Sequence, residues 1–305
     1  MGHGIAQTFA LAGYRVRGYD ASVSARESLH DRVRDNLRSA SHAGLVDESQ
    51  VADTLPRIQA CDTEAGAVEG AQFVLEAVAE DLVVKQDLFE RIEAMVDDDT
   101  ILASNSSTHP ISRSGSRLRL PQRAVVTHWF NPPHIIPTVE IVGGLETSED
   151  TIVTAVVLHR RIGKLAVRVN KEILGFLVNR VQIAMIREVW DLLEQGVASA
   201  EDIDTALRGS IGFRMAAVGP LEVCDFAGLD IWHRVFSNLV GDIRSDEQIP
   251  STIDGLVSEG NFGAKTGVGF YDYQGDTLDK KRDARDATLL GLARLMAERA
   301  AAEQT

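Results

Sequence analysis

The run His128-Trp129-Phe130-Asn131-Pro132-Pro133-His134-Ile135-Ile136-Pro137-Thr138-Val139-Glu140 opens on an imidazole and closes on a carboxylate. An imidazole can take or give a proton near neutral pH, and a carboxylate beside it orients the ring and stabilises its cation. Pro133, Pro137 and an Asn131-Pro132 turn stiffen the link between the two. Residues 123–127 before the run and 139–142 after it read as strands. A rigid turn between adjacent strand ends would hold His128 and Glu140 within hydrogen-bond reach. Each residue taken alone is ordinary, since a histidine at a strand end is more often a satisfied structural group. The surrounding pattern is what gives the pair its chemistry.

The elements that must position this pair fall into two groups. In the first half, strand-like segments at 14–19, 57–61, 72–77 (QFVLEA) and 100–104 (TILAS) alternate with helical ones. A long polar helix is expected through residue 39. Another is expected over 86–96, with Leu88, Ile92 and Met95 on one face. This rhythm of buried apolar strands and helices predicts an α/β fold with a Rossmann-type, doubly wound parallel sheet. From Lys171 the rhythm changes. Residues 174–195 read as one long helix with two apolar stripes, Val181, Met185, Val189, Leu192 and Ile183, Ile186, Trp190, Leu193. Two stripes predict burial on more than one side. Further helices are expected at 200–207, 229–240 and 288–300. The chain therefore divides into an α/β nucleotide-binding domain, residues 1–170, and an all-helical substrate and dimerisation domain, residues 171–305. The doubly apolar helix suits a homodimer interface or an intradomain core equally well.

With 305 residues, 44% of them hydrophobic, the chain can build two cores. No apolar run has the length of a membrane span, and no signal peptide stands at the start, so no membrane partner is expected. A net charge of -14 argues against nucleic acid. Cys61 and Cys224 have no metal-like spacing and read as free thiols in a reducing, cytoplasmic setting; no metal site is expected.

Gly2 and Gly4 open an apolar helix, and a strand ending near Asp20 follows. A helix N-terminus with close glycines suits a pyrophosphate. An acidic residue at the next strand end suits a ribose diol and repels a 2′-phosphate, which favours NAD over NADP. A dinucleotide fold, however, begins with a strand and then Gly-x-Gly-x-x-Gly. Only the last of those glycines has a counterpart here, as Gly2, and the first strand is missing. That strand should be central and paired on both sides, so the expectation is a start assigned too far downstream, or a fragment.

Several ordered motifs give the chain its resemblance. Met1-Gly2-His3-Gly4-Ile5-Ala6-Gln7 matches the end of a glycine loop and the helix after it. Glu80 through Lys85 (EDLVVK) matches an E-x-x-x-x-K segment. Ser104-Asn105-Ser106-Ser107-Thr108 is similar to an S-N-T-S-S loop, and the stretch from His128 to Glu140 to H-F-F-N-P…V-E. Leu174-Gly175-Phe176-Leu177-Val178-Asn179-Arg180 is similar to P-G-F-x-x-N-R, with Leu174 in place of proline. Phe262-Gly263-Ala264-Lys265-Thr266-Gly267-Val268-Gly269-Phe270-Tyr271 matches F-G-x-K-T-G-x-G-F-Y. Together they resemble the 3-hydroxyacyl-CoA dehydrogenase family. That resemblance implies roles. His128 would be the general base and Glu140 its orienting partner. Ser107 and Asn179 would hold the substrate oxygen. Gly2, Asp20, Glu80, Lys85 and Asn105 would line the NAD site. The active site would lie in an interdomain cleft.

The family activity is NAD-dependent oxidation of a 3-hydroxyacyl-CoA, such as 3-hydroxybutyryl-CoA, or its reverse, in fatty acid metabolism. The Pro133-His134-Ile135-Ile136-Pro137 stretch looks more like relatives that act on free hydroxy acids or alcohols without CoA. These include the gulonate, carnitine and pyridine-carboxylate dehydrogenases. Arg214 could pair a substrate carboxylate or form a salt bridge, and His134 could line the substrate pocket. The helix after Asp20 carries Arg26, Arg32, Arg34 and Arg38, which would serve CoA phosphates but do not demand them. A CoA-independent dehydrogenase therefore stands beside the acyl-CoA enzyme. A non-catalytic binding or structural protein, or an inactive truncated form, is a further alternative.

Overall fold

The computed structural model describes residues 1–302 and divides into two compact units, Met1–Asn179 with residues 285 onward, and Arg180–Ala284. The division falls nine residues beyond the expected boundary at residue 170, and the last helix from Arg285 onward groups with the first unit.

The first unit holds α1 (Gly2–Leu11), β1 (Val16–Gly18), α2 (Val23–Glu27), α3 (Leu29–His42), α4 (Glu48–Thr54), β2 (Ile58–Ala60), α5 (Glu64–Val68), β3 (Phe73–Glu76), α6 (Leu82–Glu93), β4 (Ile101–Ser104), α7 (Ile111–Ser114), β5 (Ala124–Trp129), β6 (Thr138–Gly143), α8 (Glu149–Arg161) and β7 (Leu165–Val169). The strands form two sheets. β1 and β2 pair in parallel, and the other five run in the order β3-β4-β5-β6-β7. Among the described residues no strand joins β1 to β3. Within the larger sheet only β5 and β6 are antiparallel.

Alternation along the central strands explains why both faces are covered. Leu102, Ala124, Val126 and Val142 pack with Phe89 and Ile92 of α6 and Ile111 of α7. Ile101, Ala103, Val125, Val139 and Ile141 pack on the other face with Ile5 of α1 and Ala155 of α8. Strands buried on both faces must be apolar at nearly every position, which is how ILAS and AVVTHW read. Each such side chain contributes about 1.5–3 kcal/mol on burial. Helix α1 serves both sheets: Ile5 and Phe9 lie in the cluster of the larger one, Ala10 and Leu11 in that of β1 and β2.

The expected polar helix after Asp20 is broken at Ser28 into α2 and α3. The helix expected from residue 174 begins later, as α9 (Val178–Glu194). Gly175 at φ 76° and Phe176 at φ 50° turn the chain first. Phe176 tolerates that left-handed backbone because its ring is fully buried in the core beside Phe89.

The second unit is helical: α10 (Ala200–Leu207), α11 (Phe213–Met215), α12 (Pro220–Ala227), α13 (Leu229–Leu239) and α14 (Ser251–Ser258) follow α9, and α15 (Thr277–Ala302) starts here and ends in the first unit. Its helices bury almost nothing within the chain. Neither α9, α12, α13 nor α14 has a buried residue. Val181 and Ile183 are 60% and 61% exposed, so the expected two-sided burial of α9 is not met among the described residues.

Candidate active site

His128 lies near the end of β5, and Glu140 near the start of β6. The antiparallel register sets them directly opposite each other. Opposed residues project from the same face of a sheet, so the pair meets without help from the intervening loop. His128 Nδ1 and Glu140 Oε2 are 2.7 Å apart, with the residues 3% and 0% exposed. The second carboxylate oxygen, Oε1, accepts from the backbone amides of Leu177 at 3.0 Å and Val178 at 2.9 Å. These amides open α9, where the helix dipole favours an anion. The turn at Gly175 and Phe176 is what aims them there. The rings of Phe130 and Phe176 lie 4.6 and 5.6 Å from the imidazole, between centroids. With Nδ1 committed to Glu140, Nε2 is the nitrogen left for a reacting hydroxyl.

The loop after β4 is held by a carboxylate from outside it. One oxygen of Glu80, Oε1, accepts from the Ser106 hydroxyl at 2.6 Å and from Ser107 N, Thr108 N and Thr108 Oγ1, each at 2.9 Å. Burial pushes the Glu80 carboxyl up, but the Ser106 and Thr108 bonds and the Lys85 charge outweigh it and hold the group at about 2. The other oxygen lies 3.1 Å from Lys85 Nζ, which also donates to Glu76 Oε1 at 2.8 Å. Glu76 Oε2 takes the Ser104 hydroxyl at 2.6 Å, across a paired register position. Lys85 was expected to line the cofactor. It is only 1% exposed and ties Glu76 and Glu80 together under the loop, so its ammonium shapes that loop. Glu80 acts in the same way through both of its oxygens.

The remaining expected residues fall in three places. Asn105 accepts from Trp129 N at 2.9 Å and so joins the ends of β4 and β5. Asn179 donates from Nδ2 to the Ser107 carbonyl at 3.0 Å, which brings α9 against the same loop. With its amide and carbonyl both engaged, Ser107 keeps its hydroxyl outside these bonds. Gly2 is the first residue of α1, and a Cβ there would meet nothing within 4 Å. Asp20 follows β1, is exposed, and accepts from Ser22 N at 2.9 Å. An open, unobstructed helix N-terminus and an exposed carboxylate past the next parallel strand fit a dinucleotide's pyrophosphate and ribose. Gly4 plays a different part from Gly2. A Cβ there would come within 2.8 Å of Pro133 Cγ, so this glycine allows close packing.

Glu76 escaped the sequence reading, and Phe176 entered it only as a motif position within an expected helix. A lone charge in the apolar run QFVLEA was the available signal for Glu76. Nothing in that motif announces the positive φ of Phe176.

Residues 1–173 match the 3-hydroxyacyl-CoA dehydrogenase NAD binding domain, and residues 175–273 the C-terminal domain of the same family. The 5-formyl-3-hydroxy-2-methylpyridine 4-carboxylate 5-dehydrogenase of Mesorhizobium japonicum is 34% identical, over 97% of this chain and 95% of its own. A probable 3-hydroxybutyryl-CoA dehydrogenase of Bacillus subtilis is 36% identical, over 91% and 95%. Among solved structures, a 5-formyl-3-hydroxy-2-methylpyridine 4-carboxylic acid 5-dehydrogenase, described as an NAD+ dependent dismutase, superposes with a TM-score of 0.92 at 34% identity. That match covers 97% of this chain and 95% of the other. The chain thus belongs to the 3-hydroxyacyl-CoA dehydrogenase family of NAD-dependent oxidoreductases.

Proposed function

We propose that this protein is an NAD-dependent dehydrogenase of a small hydroxy acid or alcohol that carries no CoA, in the manner of its pyridine-carboxylate relative. The buried His128–Glu140 pair carries the chemistry. His128 Nε2 takes the hydroxyl proton as the carbon is oxidised and returns it in reduction, while Glu140 fixes the ring and stabilises the imidazolium. Ser107 and Asn179 orient the substrate oxygen from the loop clamped by Glu80. Gly2 and Asp20 hold the dinucleotide, which supplies the hydride acceptor when bound. Burial of the pair keeps water from competing for the proton.

The end-to-end likeness to the pyridine-carboxylate enzyme supports the CoA-free substrate, as does the proline-rich loop at 132–137. The likeness to the Bacillus subtilis protein supports oxidation of a 3-hydroxyacyl-CoA as the second reading. A homodimer through the helical unit is part of the proposal, because the apolar faces of α9, α12, α13 and α14 need a cover that the described residues do not give them.

The test of the chemistry is His128→Ala, assayed for turnover and for NADH binding. Turnover is expected to fall about 10²–10⁴-fold, the usual worth of a general base, with NADH affinity nearly unchanged. Joint loss of both would make His128 a structural residue.

A further inference from the structure

We propose that Lys164, just before β7, is a positioning residue that staples the loop of residues 131–137 against α1, the helix that receives the nucleotide. Its Nζ donates to the carbonyls of Pro133 at 2.6 Å and Ile136 at 2.8 Å. The same nitrogen lies 5.1 Å from the centroid of the Trp129 ring. Lys164 is 6% exposed, and no ion pair with a carboxylate is formed by it among the described residues. Burying an ammonium without a counter-charge is unfavourable, and burial here lowers its pKa to about 8. A methionine would fill the same space without that penalty. Two aimed donors are what the lysine adds.

The far side of the loop shows what those donors act on. Pro133 and His134 press on Gly4, where a Cβ would come within 2.8 and 3.1 Å of them. Ile135 is buried in one cluster with Ala10 and Leu37. The loop is thus held between Lys164 and α1, two residues from Gly2. The histidines nearby do not replace the staple. His134 Nδ1 is buried without a partner, and His159, stacked edge-on to Trp129, has Nε2 in the same state. Burial pushes both down to about 4, which leaves them uncharged at neutral pH. Asp286 and Arg285, on α15, face His134 with opposite charges. The His128–Glu140 pair is set by strand register, so the staple should govern cofactor affinity more than the proton transfer.

The NADH arm of the test rests on the dehydrogenase reading; the exchange arm does not. In Lys164→Met, amide hydrogen exchange of residues 134–136 should quicken about tenfold, the scale of two lost charge-assisted bonds offset by easier burial. The NADH Kd should rise by a similar factor, with kcat at saturating cofactor kept within about threefold. Lys164→Arg, which keeps charge and donors, should restore most of the protection. Exchange that is unchanged in Lys164→Met overturns the proposal, as does a parallel fall in kcat and affinity. If the Met variant does not fold, Lys164→Gln is read in the same assays with the same expected directions. Wild-type protein that binds no NADH would count against the dehydrogenase reading, while exchange would still judge the staple.

Discussion

At the residue scale the site depends on carboxylates that are never free. Glu140 Oε1 is held by two backbone amides and Oε2 by His128, so the imidazole has one orientation. Glu140→Gln should lower kcat about 10-fold or more with little change in NADH affinity, because only the charge opposite the imidazolium is lost. Rates equal to wild type would remove Glu140 from the mechanism. Glu80 makes a different prediction. Its folded pKa of about 2 lies below the ordinary 4.5. Its contribution to stability is therefore complete above pH 4.5 and is lost as pH falls toward 2. The melting temperature of Glu80→Gln should lie below wild type at pH 7, and the gap should narrow steadily between pH 4.5 and 3. A constant gap would show that the Glu80 charge is not what holds the loop. The sequence named His128, Glu140 and Glu80 because each sits in a motif with its neighbours. It gave no sign that Lys85 is enclosed between Glu76 and Glu80, because spacing cannot tell an exposed ammonium from a buried one.

At the element scale the antiparallel β5–β6 pair and the start of α9 form the working unit. The strands were legible from their continuous apolar runs, and the hairpin from its prolines. The start of α9 was not, because Leu174 through Leu177 keep a helical pattern of apolar residues while Gly175 and Phe176 adopt positive φ. Backbone sign is decided by where the Phe176 ring can be buried, a tertiary preference that local periodicity does not encode. Phe176→Ala should cost about 3–5 kcal/mol in denaturant unfolding, since it empties a fully buried aromatic position next to Phe89. It should also lower kcat, because the amides that hold Glu140 follow directly in the chain. A stability loss with kcat untouched would separate the turn from the catalytic pair. β7 and α8 were missed altogether, although LAVRV is as apolar as the strands that were read.

At the scale of the whole molecule, the α/β unit has covered sheet faces while the helical unit leaves Phe213, Leu221, Phe226 and Phe236 largely open. So many exposed apolar side chains suit the proposed interface between two copies of the chain. Light scattering should give twice the chain mass, and Val181→Glu with Ile183→Glu on α9 should reduce it toward the monomer. A wild-type monomer would contradict the proposed dimer. The α/β character and the helical second half were both legible in the sequence, because they rest on periodicity. The fate of the apolar stripes was not, because a stripe reads the same whether its cover comes from the same chain or another. The substrate is likewise a property of the assembled site, and it is what a single comparison tests most directly. Purified protein with NADH should be given acetoacetyl-CoA, free acetoacetate and a formyl-pyridine carboxylate side by side, and kcat/KM determined for each. Turnover of a free acid at least tenfold above the thioester is the predicted result. A thioester preferred over both free acids would contradict the CoA-free assignment and return the protein to the acyl-CoA enzymes.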